Sequence, residues 1–253
     1  MIIVPASKEA EEQSRTIVIP AGTSVADIQA EIDKIKKWIK AGVTITIQFE
    51  DGTYDATGQH LILESFWGMG SLIVQGNIND TAGPVLARSV SITKDYSVSD
   101  PSGNYGFQVQ RCRCQVTVRF IHFSGTNADN QEWNPLLFFS DCLTGLTVDN
   151  CSFEFPSASY GSGAFFYYAA GVSVLRSYFK GGYYGLEMRG GKYGGWLTSG
   201  GYNSPNVADG TLKPTYGHYA NEGGRVYVYG TAFQDYLQGS SGDKSSTGGA
   251  IIT

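Results

Sequence analysis

The sequence predicts an all-β fold, a right-handed parallel β-helix of about eight rungs with an N-terminal capping α-helix. Three observations predict it. The 253 residues include 33 Gly, 16 Tyr and 13 Phe but only 16% charged residues, a composition rich in strand and turn formers. From Val43 onward, apolar residues alternate with polar ones at a period of two. Four later segments share one template, which is typical of a repeat architecture.

The N-terminal part is interpreted as two segments. Residues 1–15 are polar and charged, which favours an arm or a linker. Residues 16–42 contain a short apolar strand and one helix, predicted over 24–40 with Thr23 or Ser24 as the N-cap. The apolar residues of this helix fall on one stripe: Val25, Ile28, Ile32, Ile35 and Ile39. A single apolar stripe must pack on a neighbour, so we expect the helix to cover the first open end of the β-helix.

The β-helix is predicted over 43–253 from windows with the pattern apolar, any residue, Val, four residues, Phe. The windows start at Val116, Leu146, Val172 and Val226, which are 30, 26 and 54 residues apart. The interval of 54 is interpreted as two turns, a degenerate rung of about 21 residues and one of about 33. Stacked turns place equivalent residues about 4.8 Å apart. The predicted interior columns are Val116/Leu146/Val172/Val226, Val118/Val148/Val174/Val228 and Phe123/Phe153/Phe179/Phe233, with Thr117, Thr147 and Ser173 facing solvent.

Charge and composition exclude several partners. With 18 basic and 23 acidic residues the net charge is −5, which argues against a nucleic-acid partner. The chain lacks the roughly 18-residue apolar run of a membrane span, and its start lacks the pattern of a secretion signal. We therefore expect no membrane insertion, and synthesis in the cytoplasm without a signal peptide. Neither a metal nor any other cofactor is predicted, because Asp residues do not cluster at metal-binding spacing.

The four cysteines at 112, 114, 142 and 151 do not have the spacing of a zinc site. Cys112 and Cys142 occupy equivalent template positions, so they are expected to stack in adjacent rungs. We expect buried free thiols, since assembly in a reducing cytosol disfavours disulfides. A disulfide between Cys112 and Cys142 is the alternative.

Two segments resemble a known family. Residues Asp27–Gly76 place a capping helix before an apolar strand and the acidic-Gly-Thr-Tyr turn Asp51–Tyr54. This arrangement is similar to the start of β-helical phage tail-fibre and tailspike proteins of the pectate-lyase-like superfamily. Residues Tyr219–Thr231 and Gly248–Ile252 resemble the last rungs of those proteins. The resemblance implies a homotrimer on a phage tail or phage-derived particle that recognises a host cell-surface glycan.

Carbohydrate recognition needs flat aromatic faces beside polar groups, and the region 155–202 is dense in aromatic residues. Template position places Phe165 inside, and alternation then places Phe166 and Tyr168 outside. The predicted glycan-binding residues are Trp133, Phe166, Tyr168, Tyr183, Tyr184 and Trp196. Packing of these aromatics on neighbouring loops or subunits is the alternative.

Many relatives in the resembled family are depolymerases, but the chain carries no recognisable catalytic signature. A hydrolase needs two carboxylates about 5 to 9.5 Å apart. Glu187, in the degenerate rung beside Arg189, and Asp235 are the candidates. Other outward acids are expected to form structural pairs across rungs, as in Glu154 with Lys180 and Asp149 with Arg119. The histidines at 60, 122 and 218 are scattered, so a His-centred site is not expected.

Three functions therefore remain open. The first is a tail-fibre-like receptor-binding protein that recognises bacterial surface polysaccharide. The second is a glycan depolymerase, either a glycoside hydrolase or a polysaccharide lyase, on the same fold. The third is a structural virion spacer.

Overall fold

The structure is a computed structural model. It describes residues 9–59, 61–98, 105–126, 134–143, 145–157, 161–190, 195–200, 205–228, 242–246 and 251–253, with only the backbone described for 242–245. The fold is a parallel β-solenoid of about seven turns with very little helix. This confirms the predicted fold class, and the predicted number of rungs is close.

Three parallel sheets run along the solenoid. Sheet A consists of β1 (Ala10–Glu11), β2 (Arg15–Ile19), β3 (Trp38–Ile39), β4 (Thr44–Phe49), β7 (Trp67–Gln75), β10 (Arg113–Arg119), β13 (Leu146–Asp149), β16 (Val172–Leu175), β19 (Gly195–Ser199), β22 (Gly224–Val228) and β24 (Ile251–Ile252). Sheet B consists of β5 (Gly52–Asp55), β8 (Val90–Asp95), β11 (His122–Thr126), β14 (Ser152–Glu154), β17 (Tyr178–Lys180) and β20 (Val207–Ala208). Sheet C consists of β6 (Leu61–Glu64), β9 (Phe107–Gln110), β12 (Pro135–Ser140), β15 (Ser162–Tyr167), β18 (Tyr184–Arg189), β21 (Tyr216–Asn221) and β23 (Gly242–Ser246).

The predicted interior columns are confirmed by the strand register. Leu146 pairs with both Val116 and Val172, and the degenerate turn adds Leu197 between Val172 and Val226. In sheet B the Phe123 and Phe153 rings stack with centroids 5.4 Å apart, and the Phe153 and Phe179 rings at 4.9 Å. Phe233 lies outside the described residues. Stacked rings of this kind bury large apolar surfaces at each turn, which stabilises the coil.

The degenerate turn is also where the sequence predicts it. In sheet C, Tyr184 pairs with Ser162 and with Tyr216, at separations of 22 and 32 residues. These separations are close to the predicted rungs of about 21 and 33 residues.

The capping helix α1 (Val25–Asp33) is shorter than predicted. It begins at the predicted N-cap Ser24, whose side chain accepts a hydrogen bond from the Asp27 amide. It ends early because Trp38–Ile39 forms strand β3, which pairs with β1 and β7. Its capping role is confirmed: the Gln29 side chain accepts from the Ile62 amide at 2.8 Å and donates to the Ile62 carbonyl at 3.0 Å. The Gln29 amide thus satisfies the first edge of sheet C as a further strand would.

The prediction that Phe166 faces outward is wrong. Its ring is fully buried and stacks on Phe139 at 5.2 Å, in the interior column of sheet C. Phe139 lies seven residues before Leu146, but Phe166 lies only six before Val172, because the corner between sheets C and A is one residue shorter in this turn. A slip of one residue moves a strand side chain to the opposite face.

All four cysteines are buried free thiols. The adjacent Cys112 thiol and burial raise the pKa of Cys142, and burial raises the pKa of Cys114 and Cys151 to about 12. Since the thiolate is the reactive form, we expect Ellman's reagent at about pH 8 to label none of them within minutes in the native protein, and all four after anaerobic unfolding. Fast native labelling would contradict this burial, and labelling of only two thiols after unfolding would indicate a disulfide.

Candidate functional site

The outer face of sheet A carries the most exposed of the predicted aromatic residues that the structure describes, Trp196, which is 49% exposed. Successive turns align outward positions beside it in the order Gln115, Gly145, Gly171, Trp196 and Arg225. We call these five residues the Trp196 face.

Two neighbouring glycines leave a shallow trough beside the Trp196 ring. At Gly145 an added Cβ would meet only the Cγ atom of Gln115, at 3.9 Å, and the backbone there is not left-handed. The fold therefore does not require glycine at position 145. Gly171 differs, because its φ of +70° favours glycine. Trp196 Cζ2 lies 3.9 Å from the position of a Cβ on Gly171, so the indole forms one end of the trough and Gln115 forms the other.

A row of hydroxyl groups follows the trough on the same face. Thr117, Thr147, Ser173 and Thr198 pair in register on successive strands, and the row ends at Tyr227, which is 40% exposed. The first three are partly exposed, as the sequence predicts. Strand spacing places one hydroxyl about every 4.8 Å. An exposed indole beside a flat floor and regularly spaced hydroxyls suits the apolar face and the hydroxyl edge of a sugar ring.

The other aromatic candidates lie elsewhere. Tyr184 is 3% exposed, with its ring stacked on Tyr219 at 4.2 Å. Tyr183 is half-buried and packs edge-on against Tyr184 at 4.7 Å. Tyr168 is half-buried and stacks on Tyr167 at 3.9 Å. Packing among aromatics, the alternative from the sequence, describes these three better than an open binding surface. Trp133 lies outside the described residues.

Glu187 is on the outer face of sheet C but is fully buried. Its carboxylate accepts hydrogen bonds from the Ser162 hydroxyl at 2.7 Å and from Arg189 Nε at 2.8 Å. The Arg189 guanidinium lies over the Phe165 ring at 5.3 Å. A carboxylate enclosed in this way has no access to substrate, which does not agree with an accessible catalytic acid at Glu187. Asp235 lies outside the described residues.

Sequence reasoning missed a polar group on the outer face of sheet B, formed by His122, Ser152, Glu154 and Lys180. We call these four residues the sheet B cluster. Lys180 Nζ lies 2.7 Å from Glu154 Oε1, the pair that the sequence predicts. His122 lies between Ser152 Oγ, 2.9 Å from Nδ1, and Glu154 Oε2, 3.5 Å from Nε2. The signal was the template itself, because His122 and Ser152 each directly precede a phenylalanine of one interior column.

Hydrogen bonding assigns the imidazole tautomer in the sheet B cluster. Ser152 Oγ donates to the Leu86 carbonyl at 2.7 Å, so it accepts from His122 Nδ1. The neutral ring then presents the lone pair of Nε2 on the side of Glu154. Beside the cluster, the Tyr178 hydroxyl donates to Asp209 at 2.7 Å, and burial with this contact raises the pKa of Tyr178 to about 12.

Burial lowers the pKa of His122, and the nearby Glu154 carboxylate partly offsets this. We expect an NMR titration to place the pKa of the His122 imidazole below about 6.5, and lower still in Glu154→Gln. As the pH falls through about 6.5, the unfolded chain takes up a proton that folded His122 resists, so the free energy of unfolding decreases. His122→Gln should reduce this slope. A pKa of His122 above the unperturbed value would contradict the arrangement.

Comparison with protein-family models, with curated proteins and with solved structures returns no match for this chain. Within the described residues, helix α1 is too short to cross a membrane, and His, Cys, Asp and Glu side chains do not form a group of three or more that could hold a metal ion. Functional inference therefore rests on the Trp196 face and the sheet B cluster.

Proposed function

We propose that the chain is a receptor-binding module that recognises a bacterial surface polysaccharide through the Trp196 face. The observation that carries the proposal is the exposed Trp196 indole at the end of a glycine-floored trough with a row of hydroxyls beside it. The resemblance to phage tail-fibre and tailspike proteins supports the ligand class. It also favours a homotrimer on a phage tail or phage-derived particle, for which light scattering would give three times the monomer mass.

The alternative of a virion spacer accounts less well for this face. A spacer gains nothing from an exposed indole, since exposed apolar surface promotes unwanted association. It also has no use for glycine at position 145, where the fold leaves room for a side chain.

Binding to a panel of purified bacterial capsules and O-antigens tests the proposal. We expect the wild-type chain to bind at least one member, and Trp196→Ala to weaken that binding at least about tenfold. Gly145→Val should weaken it similarly by filling the trough. Trp67→Ala is the matched control, because Trp67 is also on sheet A and is 43% exposed, and it should bind as wild type. No binding to any polysaccharide, or equal binding by Trp196→Ala, would refute the proposal.

The second candidate function is cleavage of the glycan, favoured by the sheet B cluster. Its imidazole, carboxylate and ammonium groups are those used in general acid–base catalysis. Incubation with a bound polysaccharide, followed by sizing of the products, tests this function. Chain shortening that disappears in both His122→Gln and Glu154→Gln would support it. An unchanged chain length with wild-type protein would reject it and leave the binding proposal intact.

A further inference from the structure

Arg225 differs from every other arginine of the chain. Its side chain is exposed, and its guanidinium has no hydrogen bond or ion pair with any residue in the described part of the chain. Each of the other seven arginines binds an acceptor: Arg15 binds Glu11, Arg88 the carbonyls of Thr81 and Gly83, Arg111 Glu64, Arg113 the carbonyls of Cys112 and Asp141, Arg119 Gln75, Arg176 Asp149, and Arg189 Glu187. The Arg119–Asp149 pair predicted from the sequence is thus wrong, because each residue has another partner.

The position of Arg225 connects it to the Trp196 face. Arg225 is the register partner of Trp196 on the neighbouring strand, about 4.8 Å away between backbones. Tyr227, exposed and two residues further along the same strand, points to the same face. The unpaired cation therefore lies beside two exposed aromatic rings, at the aromatic end of the trough.

The chemistry of the guanidinium selects one kind of ligand group. Its planar array of donors matches a carboxylate, which it binds through two parallel hydrogen bonds. A sugar whose ring lies on the Trp196 indole can present a ring carboxylate to the adjacent strand, where Arg225 is. The hydroxyls of Thr198 and Ser173 remain available to the rest of the ring.

We propose that the recognised glycan is acidic and that Arg225 binds a sugar carboxylate while Trp196 supports the sugar ring. The inference rests on the proposed function of the Trp196 face and names its substrate class. It predicts that uronic-acid or sialic-acid polymers bind and that uncharged polymers such as dextran do not.

The test compares an acidic polysaccharide that the wild-type chain binds with the same polymer after its carboxyl groups are reduced to alcohols. We expect reduction to weaken wild-type binding at least about tenfold, and Arg225→Gln to weaken binding of the native polymer by a similar factor. Arg225→Gln should lose little more on the reduced polymer, since both changes remove one interaction. Arg225→Lys should be intermediate. Arg111→Gln is the matched control, because the Arg111 side chain is 58% exposed but lies away from the face.

Several outcomes would overturn the inference. Wild-type binding that is equal for native and reduced polymers would do so, as would binding of uncharged polymers only. A loss in Arg225→Gln that reduction of the carboxyls does not reproduce would assign Arg225 to a sulfate or phosphate substituent instead. In each case Trp196→Ala separates the two proposals: if it still weakens binding, only the acidic ligand is wrong, and if it does not, the Trp196 face itself is wrong.

Discussion

Replacing Phe153 by Ala is expected to lower the free energy of unfolding by about 3–5 kcal/mol, the usual cost of emptying a large aromatic site in a core. Phe153 is 1% exposed and stacks between Phe123 and Phe179, so its removal leaves a cavity that neighbouring turns cannot close. Equilibrium denaturation in guanidinium chloride, followed by circular dichroism, measures the loss.

Thr147→Ala is the control for Phe153→Ala. Thr147 lies in the same turn but faces outward in sheet A, and its loss should change the free energy of unfolding by no more than about 0.5 kcal/mol. A loss below about 1 kcal/mol in Phe153→Ala would contradict a continuous ring column.

A pair of glycine substitutions separates glycines that the fold requires from one that it does not. An added Cβ at Gly76 would lie 1.9 Å from the Phe120 carbonyl oxygen of the next turn, which is backbone and cannot move aside cheaply. We expect Gly76→Ala to destabilise the protein by about 3 kcal/mol or more. Gly145→Ala should cost less than about 1 kcal/mol, because a Cβ there meets only Gln115 Cγ at 3.9 Å.

The same denaturation experiment measures both glycine variants. Equal losses in Gly76→Ala and Gly145→Ala would mean that the turns do not approach each other as described. A stable Gly145→Ala protein would also support the view that the trough is kept open for a ligand rather than for folding.

The solenoid could be predicted because stacking repeats its chemistry at every turn. Leu146 and Val172 follow Val116 at matching template positions, and the structure pairs them directly. Phe166 shows where this reasoning fails, since a corner one residue shorter reverses the inward and outward assignment without changing composition. The end of helix α1 was missed because the pairing of Trp38–Ile39 with distant strands overrides its helical pattern.

The candidate site was only partly predictable. Trp196 could be found from local aromatic density, but its neighbours could not. Arg225 lies 29 residues away, and only the register of β19 with β22 places it beside the indole. The sheet B cluster was missed because His122 was compared with other histidines rather than with Ser152, its counterpart in the next turn.

Binding at the Trp196 face is tested most directly by NMR on protein carrying ¹⁵N-labelled tryptophan, titrated with an oligosaccharide of a bound polysaccharide. The indole resonance of Trp196, assigned from a Trp196→Phe spectrum, should move saturably, whereas those of Trp38 and Trp67 at the other end of sheet A should not. A Trp196 resonance that stays in place at saturating ligand, or moves no more than that of Trp67, would contradict binding at this face.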